Sequence, residues 1–125
     1  MPTNLYGPGD NFDLQTSHVL PALIRKVHEA KMQNRRKVVI WGTGTPRREF
    51  LHTRDLADAL RFLLENYDSP QIINVGCGYD MKIRELALLV AKVVGVDAEL
   101  VFDTSKPDPQ ELRSQPAHFQ VHSAK

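Results

Sequence analysis

A single cysteine, Cys77, is too few for an internal disulfide, so the fold must rest on its core, and the sequence suits a reducing cytosol. No apolar run approaches the length that crosses a membrane, and the first residues lack the basic and apolar regions of a signal peptide. The expectation is a cytoplasmic protein with no membrane partner. Acidic and basic residues nearly cancel, 16 Lys and Arg against 15 Asp and Glu, so no global field points to nucleic acid. No metal site is expected. Two phosphate-loop signatures are also missing. There is no Walker A loop, and neither G-x-G pair completes a dinucleotide fingerprint. In "WGTGTPRREF" the third glycine position holds Arg47; in "VGCGYDMKI" it holds Met81.

What is present is an ordinary globular composition, 42% apolar and 25% charged over 125 residues, enough for about one domain. The sequence enters loop chemistry almost at once in "MPTNLYGPGDNF", an unusual start for a whole domain and a reason to expect further chain upstream. "SHVLPALIRKVHEAKMQ" has helical spacing, with Ser17 placed to cap it and Pro21 near its first turn. "VVIW", "REFLH", "QIINVG" and "AELVF" have the apolar, β-branched character of strands. "TRDLADALRFLLENY" predicts a second helix with Leu56, Ala59, Leu60, Leu63 and Leu64 on one face, and "KIRELALLVAKVV" a third, stopped by Gly95. From Asp103 onward the sequence turns polar and Pro-rich without periodicity, which predicts a loose tail. Strands alternating with helices predict an α/β fold, a small mixed sheet with flanking helices.

The loop at residues 41–52 carries the most chemistry. Trp41 offers a flat face to a base, and an arginine offers a two-pronged donor to a diphosphate. The same residues read equally as a β-turn with a half-buried Trp and two solvated arginines. The "GCG" stretch reads as a tight turn feeding a helix.

Taken together, "PTNLYGPGDNF", "SHVLPALIRKVHEA", "WGTGTPRREFLH", "INVGCGYDMKIRELA" and "VFDTSKPD" resemble, in order, the C-terminal half of the GDP-L-fucose synthases. These are NADP-dependent epimerase/reductases of the extended short-chain dehydrogenase family. The resemblance covers residues 1–108. It implies a nucleotide-sugar substrate-binding domain over that span, with residues 1–15 a remnant of the cofactor-side strand and loop and 109–125 a divergent, disordered tail. It also implies roles. Pro2, Thr3, Asn4 and Leu5 match the stretch lining the nicotinamide end of NADP, and His18 matches both a cofactor contact and the general acid of the epimerisations. Imidazole side chains exchange protons near neutral pH, as that chemistry requires. Lys26, Trp41 and Arg48 match positions that hold the GDP part of the substrate. Lys26 shares its helix with Arg25, Lys31, Arg35 and Arg36, a cluster that also reads as a solvated face.

The implied partner is a GDP-sugar, GDP-4-keto-6-deoxy-mannose. The family is homodimeric through a half that this sequence does not include. Its glycine fingerprint and Tyr-x-x-x-Lys pair are likewise not found here, and Cys77 does not match its catalytic cysteine, so inactivity of this chain alone is expected. Two further departures matter. Arg54 stands where the family has an acidic residue, placing a cation at a helix N-terminus. After "SKPD", "PQELRSQPAHFQVHSAK" replaces the family's "GTPRKLLD". Two other readings remain: another nucleotide-sugar epimerase or dehydratase of the same superfamily, and a non-catalytic GDP-sugar-binding remnant.

Overall fold

The computed structural model describes residues 3–108 and the backbone of residues 118–120. In chain order come β1 (Asn4–Tyr6), α1 (Val19–Met32), β2 (Lys37–Trp41), β3 (Arg47–Arg48), β4 (Phe50–His52), α2 (Thr53–Asn66), β5 (Asn74–Gly76), β6 (Met81–Lys82), α3 (Ile83–Val94), β7 (Glu99–Asp103) and β8 (His118–Gln120). Helices and strands alternate as the periodicity predicts. The pairs β1–β4, β2–β7 and β5–β8 are all parallel, and a two-residue pair joins β3 and β6. Parallel neighbours need a long crossover, and each of the three parallel pairs has at least one helix between its strands.

The chain divides into two compact units. Of the described residues, the first takes in 3–9, 48–80 and 118–120; the second takes in 10–47 and 81–108. In the first unit, β1 sets Leu5 opposite Leu51 of β4. Leu51, Ala59 and Val75 form the core, and Leu5, Leu56 and Leu63 pack against it. The predicted apolar face of α2 is therefore only partly buried: Leu60 is 49% exposed and Leu64 87%. At about 100° per residue, Leu64 lies roughly a quarter turn or more from the line through Leu56, Ala59 and Leu63, too far round to reach the same core. The N-cap of α2 is His52, whose Nδ1 accepts from the Arg54 amide at 3.1 Å. Asp55 in the same turn supplies the negative charge that the helix dipole favours beside Arg54. β8 lies within the segment read as a loose tail, whose residues 109–117 and 121–125 lie outside the described residues. A three-residue strand is too short to show a period and depends on its partner β5.

In the second unit, α1 packs against α3 and β2. Leu20, Leu23, Val27 and Ala30 meet a core that includes Val38, Ile40, Ile83, Leu86, Ala87, Val90 and Ala91. Val27 and Ile83 are fully enclosed, so truncating Ile83 to alanine would cost about 2–5 kcal/mol. Ser17 does not cap α1. The capping position falls on His18, which makes no side-chain cap bond, and Ser17 Oγ is buried without a partner. The cause lies just upstream. Asp13 Oδ1 accepts from the amides of Gln15 and Thr16 and from the Thr16 hydroxyl, and the Ser17 amide donates to the Asp13 carbonyl. That turn ends at Ser17, so the helix begins one residue later. At the far end, α3 stops at Gly95 as predicted, with φ 74° and both capping bonds of a left-handed terminus.

Candidate functional site

β2 alternates: Val38 and Ile40 point into the core while Lys37, Val39 and Trp41 point outward, as the period of two requires. Trp41 is thereby left 49% exposed at the end of its strand. Lys26, on α1, reaches the same place. Its Nζ lies 5.0 Å from the Trp41 ring centroid and donates to the Val39 carbonyl at 3.3 Å. Partial burial pushes the Lys26 pKa down. A second ammonium, that of Lys106, lies 5.8 Å from the same ring.

The loop after Trp41 is tied from two sides. From the β7 side, the Gly42 amide donates to the Asp103 carbonyl at 2.9 Å, the Thr43 amide to Asp108 Oδ1 at 2.7 Å, and the Thr43 hydroxyl to Asp108 Oδ2 at 2.9 Å. From the start of α3, the Ile83 and Arg84 amides donate to the carbonyls of Pro46 and Gly44, each at 2.9 Å. The Thr45 amide donates to Thr43 Oγ1 at 3.2 Å. Gly42 and Gly44 have φ of 84° and 72°. A Cβ on Gly42 would strike the Asp108 carboxylate, and one on Gly44 the Phe102 ring. The glycines thus admit the chain's own Asp108 and Phe102. The amides of Gly42, Thr43 and Thr45 are bonded within the chain.

The "GCG" turn of the first unit is built on the same plan. Glu49 Oε1 accepts from the Gly78 amide at 2.7 Å, and a Cβ on Gly76 would strike that carboxylate. Cys77 Sγ donates to the Tyr79 carbonyl at 3.3 Å. Burial, with the Glu49 charge adding to it, pushes the Cys77 thiol pKa up. The turn feeds β6 and then α3, as the reading of "GCG" expects.

The residues singled out in the sequence fall as follows. Lys26 and Trp41 meet in the second unit, where His18 stands exposed at the start of α1. Thr3, Asn4, Leu5 and Arg48 belong to the first unit. Thr3 Oγ1 and Asn4 Nδ2 both donate to the Glu49 carbonyl, at 2.9 and 3.0 Å, and Leu5 packs on the core. Pro2 lies outside the described residues. The two adjacent arginines part company. Arg47 is exposed, whereas Arg48 is buried to 6% and interacts within the chain, as a buried guanidinium must. The reading as two solvated arginines fails for Arg48.

Asp108 and Lys106 were given no role by the sequence. The signal available was the strand pair. Parallel pairing of "VVIW" with "LVF" brings both C-terminal ends together, so the residues after Asp103 must run beside the residues after Trp41. Among the described residues, no group of three His, Cys, Asp or Glu side chains could hold a metal, and no helix is long and apolar enough to cross a membrane.

Probable GDP-L-fucose synthase 1 of Oryza sativa subsp. japonica is 60% identical over 114 residues, which is 90% of this chain and 35% of that protein. The GDP-L-fucose synthase of Escherichia coli (strain K12) is 54% identical over 123 residues, covering 90% of this chain and 38% of its own length. The solved GDP-L-fucose synthetase from Naegleria fowleri superposes with a TM-score of 0.83 at 35% identity, over 90% of this chain and 35% of that one. The chain therefore spans roughly a third of the length of these relatives. The profile of the NAD dependent epimerase/dehydratase family matches residues 1–76, more than half of the sequence. That match takes in β1, the Trp41 loop with Arg48, and the strand leading into "GCG": the chain belongs to the NAD-dependent epimerase/dehydratase family.

Proposed function

We propose that this chain is the nucleotide-sugar-binding portion of a GDP-L-fucose synthase, and that its Trp41 face takes the GDP moiety of GDP-4-keto-6-deoxy-mannose. The observation that carries this reading is a half-exposed indole with the Lys26 ammonium over its ring, 5.0 Å from the centroid. A base can stack on the ring, and the ammonium can exchange its weak contact with the ring for a phosphate oxygen. Its pKa is lowered by partial desolvation, and an approaching anion would favour the charged form and raise it again. Arg48, in the first unit, is proposed as a GDP contact on the family resemblance alone. Its burial fixes the guanidinium, so little side-chain entropy remains to be lost on binding.

The parent reaction uses two epimerisations and a reduction. His18, exposed at the start of α1, is the proposed proton donor in the first of these. The family cofactor is NADP, and a GDP-L-fucose synthetase from Naegleria fowleri has been solved bound to it. In this chain Thr3 and Asn4 spend their side-chain donors on the Glu49 carbonyl. They suit the shaped rim of a nicotinamide site, with Leu5 fixing the strand from the core side. Bound NADPH would supply the hydride. This sequence contains no Tyr-x-x-x-Lys to protonate the 4-keto oxygen, so the chain by itself is expected to bind without turnover.

Calorimetry tests the assignment. GDP should bind more tightly than ADP or UDP, and Arg48→Ala should weaken GDP by about 1.5–3 kcal/mol. Equal affinity for all three nucleotides, or an unchanged Arg48→Ala, overturns it. The His18 role has its own readout: in a full-length relative carrying this segment, His18→Gln should slow deuterium wash-in at the epimerised carbons, and unchanged exchange refutes it.

A further inference from the structure

Two ammonium groups lie within 6 Å of the Trp41 centroid, and only that of Lys26 enters the reading above. A cation against a half-exposed ring gains only about 0.5–1 kcal/mol, too little to explain why a flexible exposed lysine should stand there. The backbone explains it. Lys106 sits in a six-residue strap, Asp103 to Asp108, that is fastened at both ends. At the near end the Lys106 amide donates to the Asp103 carbonyl at 3.2 Å. The Ser105 amide and hydroxyl close on Asp103 Oδ1 at 3.0 and 2.5 Å. At the far end the Asp108 carboxylate takes the amide and hydroxyl of Thr43. Pro107, between them, has its φ fixed by the ring.

The strap therefore presents Lys106 at the Trp41 ring by main-chain geometry, with its two neighbouring carboxylates engaged by Ser105 and Thr43. Two cations over one indole, one of them carried there by a fastened strap, match a ligand that joins a flat base to more than one negative charge. We infer that Lys106 is a further binding residue for the diphosphate of the nucleotide, acting with Lys26 from the other side of the chain's sequence. This rests on the nucleotide-binding reading of the Trp41 face.

The test uses the full chain and three probes: GDP, GMP and guanosine. Lys106→Gln should weaken GDP about tenfold, GMP less, and leave guanosine unchanged, because only the phosphates meet the ammonium. Lys106→Arg should keep most of the GDP affinity. The GDP deficit of Lys106→Gln should also shrink as salt rises, since the side chain is exposed. A wild-type chain that binds GDP as tightly as Lys106→Gln overturns this inference and leaves the nucleotide reading standing. A wild-type chain that binds none of the three overturns both. Equal losses for GDP and guanosine in Lys106→Gln would mark a structural role and overturn the inference alone.

Discussion

The two G-x-G turns, one in each unit, look alike in sequence and share a device: each is closed on a carboxylate of the chain itself. Around Gly42–Gly44 the carboxylate is Asp108; around Gly76–Gly78 it is Glu49. They differ in what the closure demands. Gly42 and Gly44 are both left-handed and face a carboxylate and an aromatic ring, whereas in the second turn only Gly78 is left-handed and Gly76 faces the flexible end of Glu49. They differ also in what the turn presents. The first stands beside an indole and two ammonium groups; the second presents a thiol whose acidity its surroundings suppress. A glycine pair thus identifies a tight backbone, and the side chains around it decide whether that backbone serves a ligand.

Substituting the glycines separates the two turns most strongly. Gly42→Ala combines left-handed strain with displacement of Asp108 and should cost about 3 kcal/mol or more, read from urea unfolding. Gly76→Ala should cost about 1 kcal/mol, because Glu49 can swing aside at the loss of one hydrogen bond. Equal costs would erase the distinction. Removing the carboxylates comes next. Asp108→Ala gives up two bonds to Thr43 and should destabilise by about 1–2 kcal/mol, Glu49→Ala by roughly 1 kcal/mol, both seen as lowered melting temperatures. Thr43→Val should then cost less in an Asp108→Ala background than in the wild type, the remainder being its bonds with Thr45, and a double-mutant cycle reads the difference.

A smaller effect tests the second turn alone. Burial and Glu49 keep the Cys77 thiol protonated, so iodoacetamide should label it more slowly than a free thiol at neutral pH. Glu49→Gln should quicken labelling, while Asp108→Asn should not. The smallest effect concerns acid. Ser105 donates to Asp103 and holds its carboxyl below the ordinary value; the Lys106 charge adds a lesser pull. A lowered folded pKa means stability that is present above the ordinary carboxylate range and lost as the pH falls through the folded value. Ser105→Ala should therefore flatten a slight fall in stability at the acid end and change nothing at neutral pH.

Much of this was legible in the sequence. Helical spacing marks α1, α2 and α3, Gly95 marks an end, and the alternation in "KVVIW" puts Trp41 outward. The rest depends on partners distant in the chain. Asp108 closes on Thr43 across 65 residues and Glu49 on Gly78 across 29, separations that no local pattern encodes. Ser17 looked like a cap because its type is right, but the Asp13 turn starts the helix one residue later. The burial of Arg48 and the exposure of its neighbour Arg47 follow from strand alternation in β3, two residues too short to read as a strand alone. β8 owes its existence to β5.

The central claim is that recognition falls to the Trp41 face and its cations, while the glycines serve the chain. Trp41 is the only tryptophan in the sequence, so its fluorescence reports that face without interference. GDP titrated into the wild-type chain should change the emission saturably, and Lys26→Gln should shift the midpoint to higher GDP concentration by about tenfold. A flat titration, or a midpoint that Lys26→Gln leaves in place, would contradict the account.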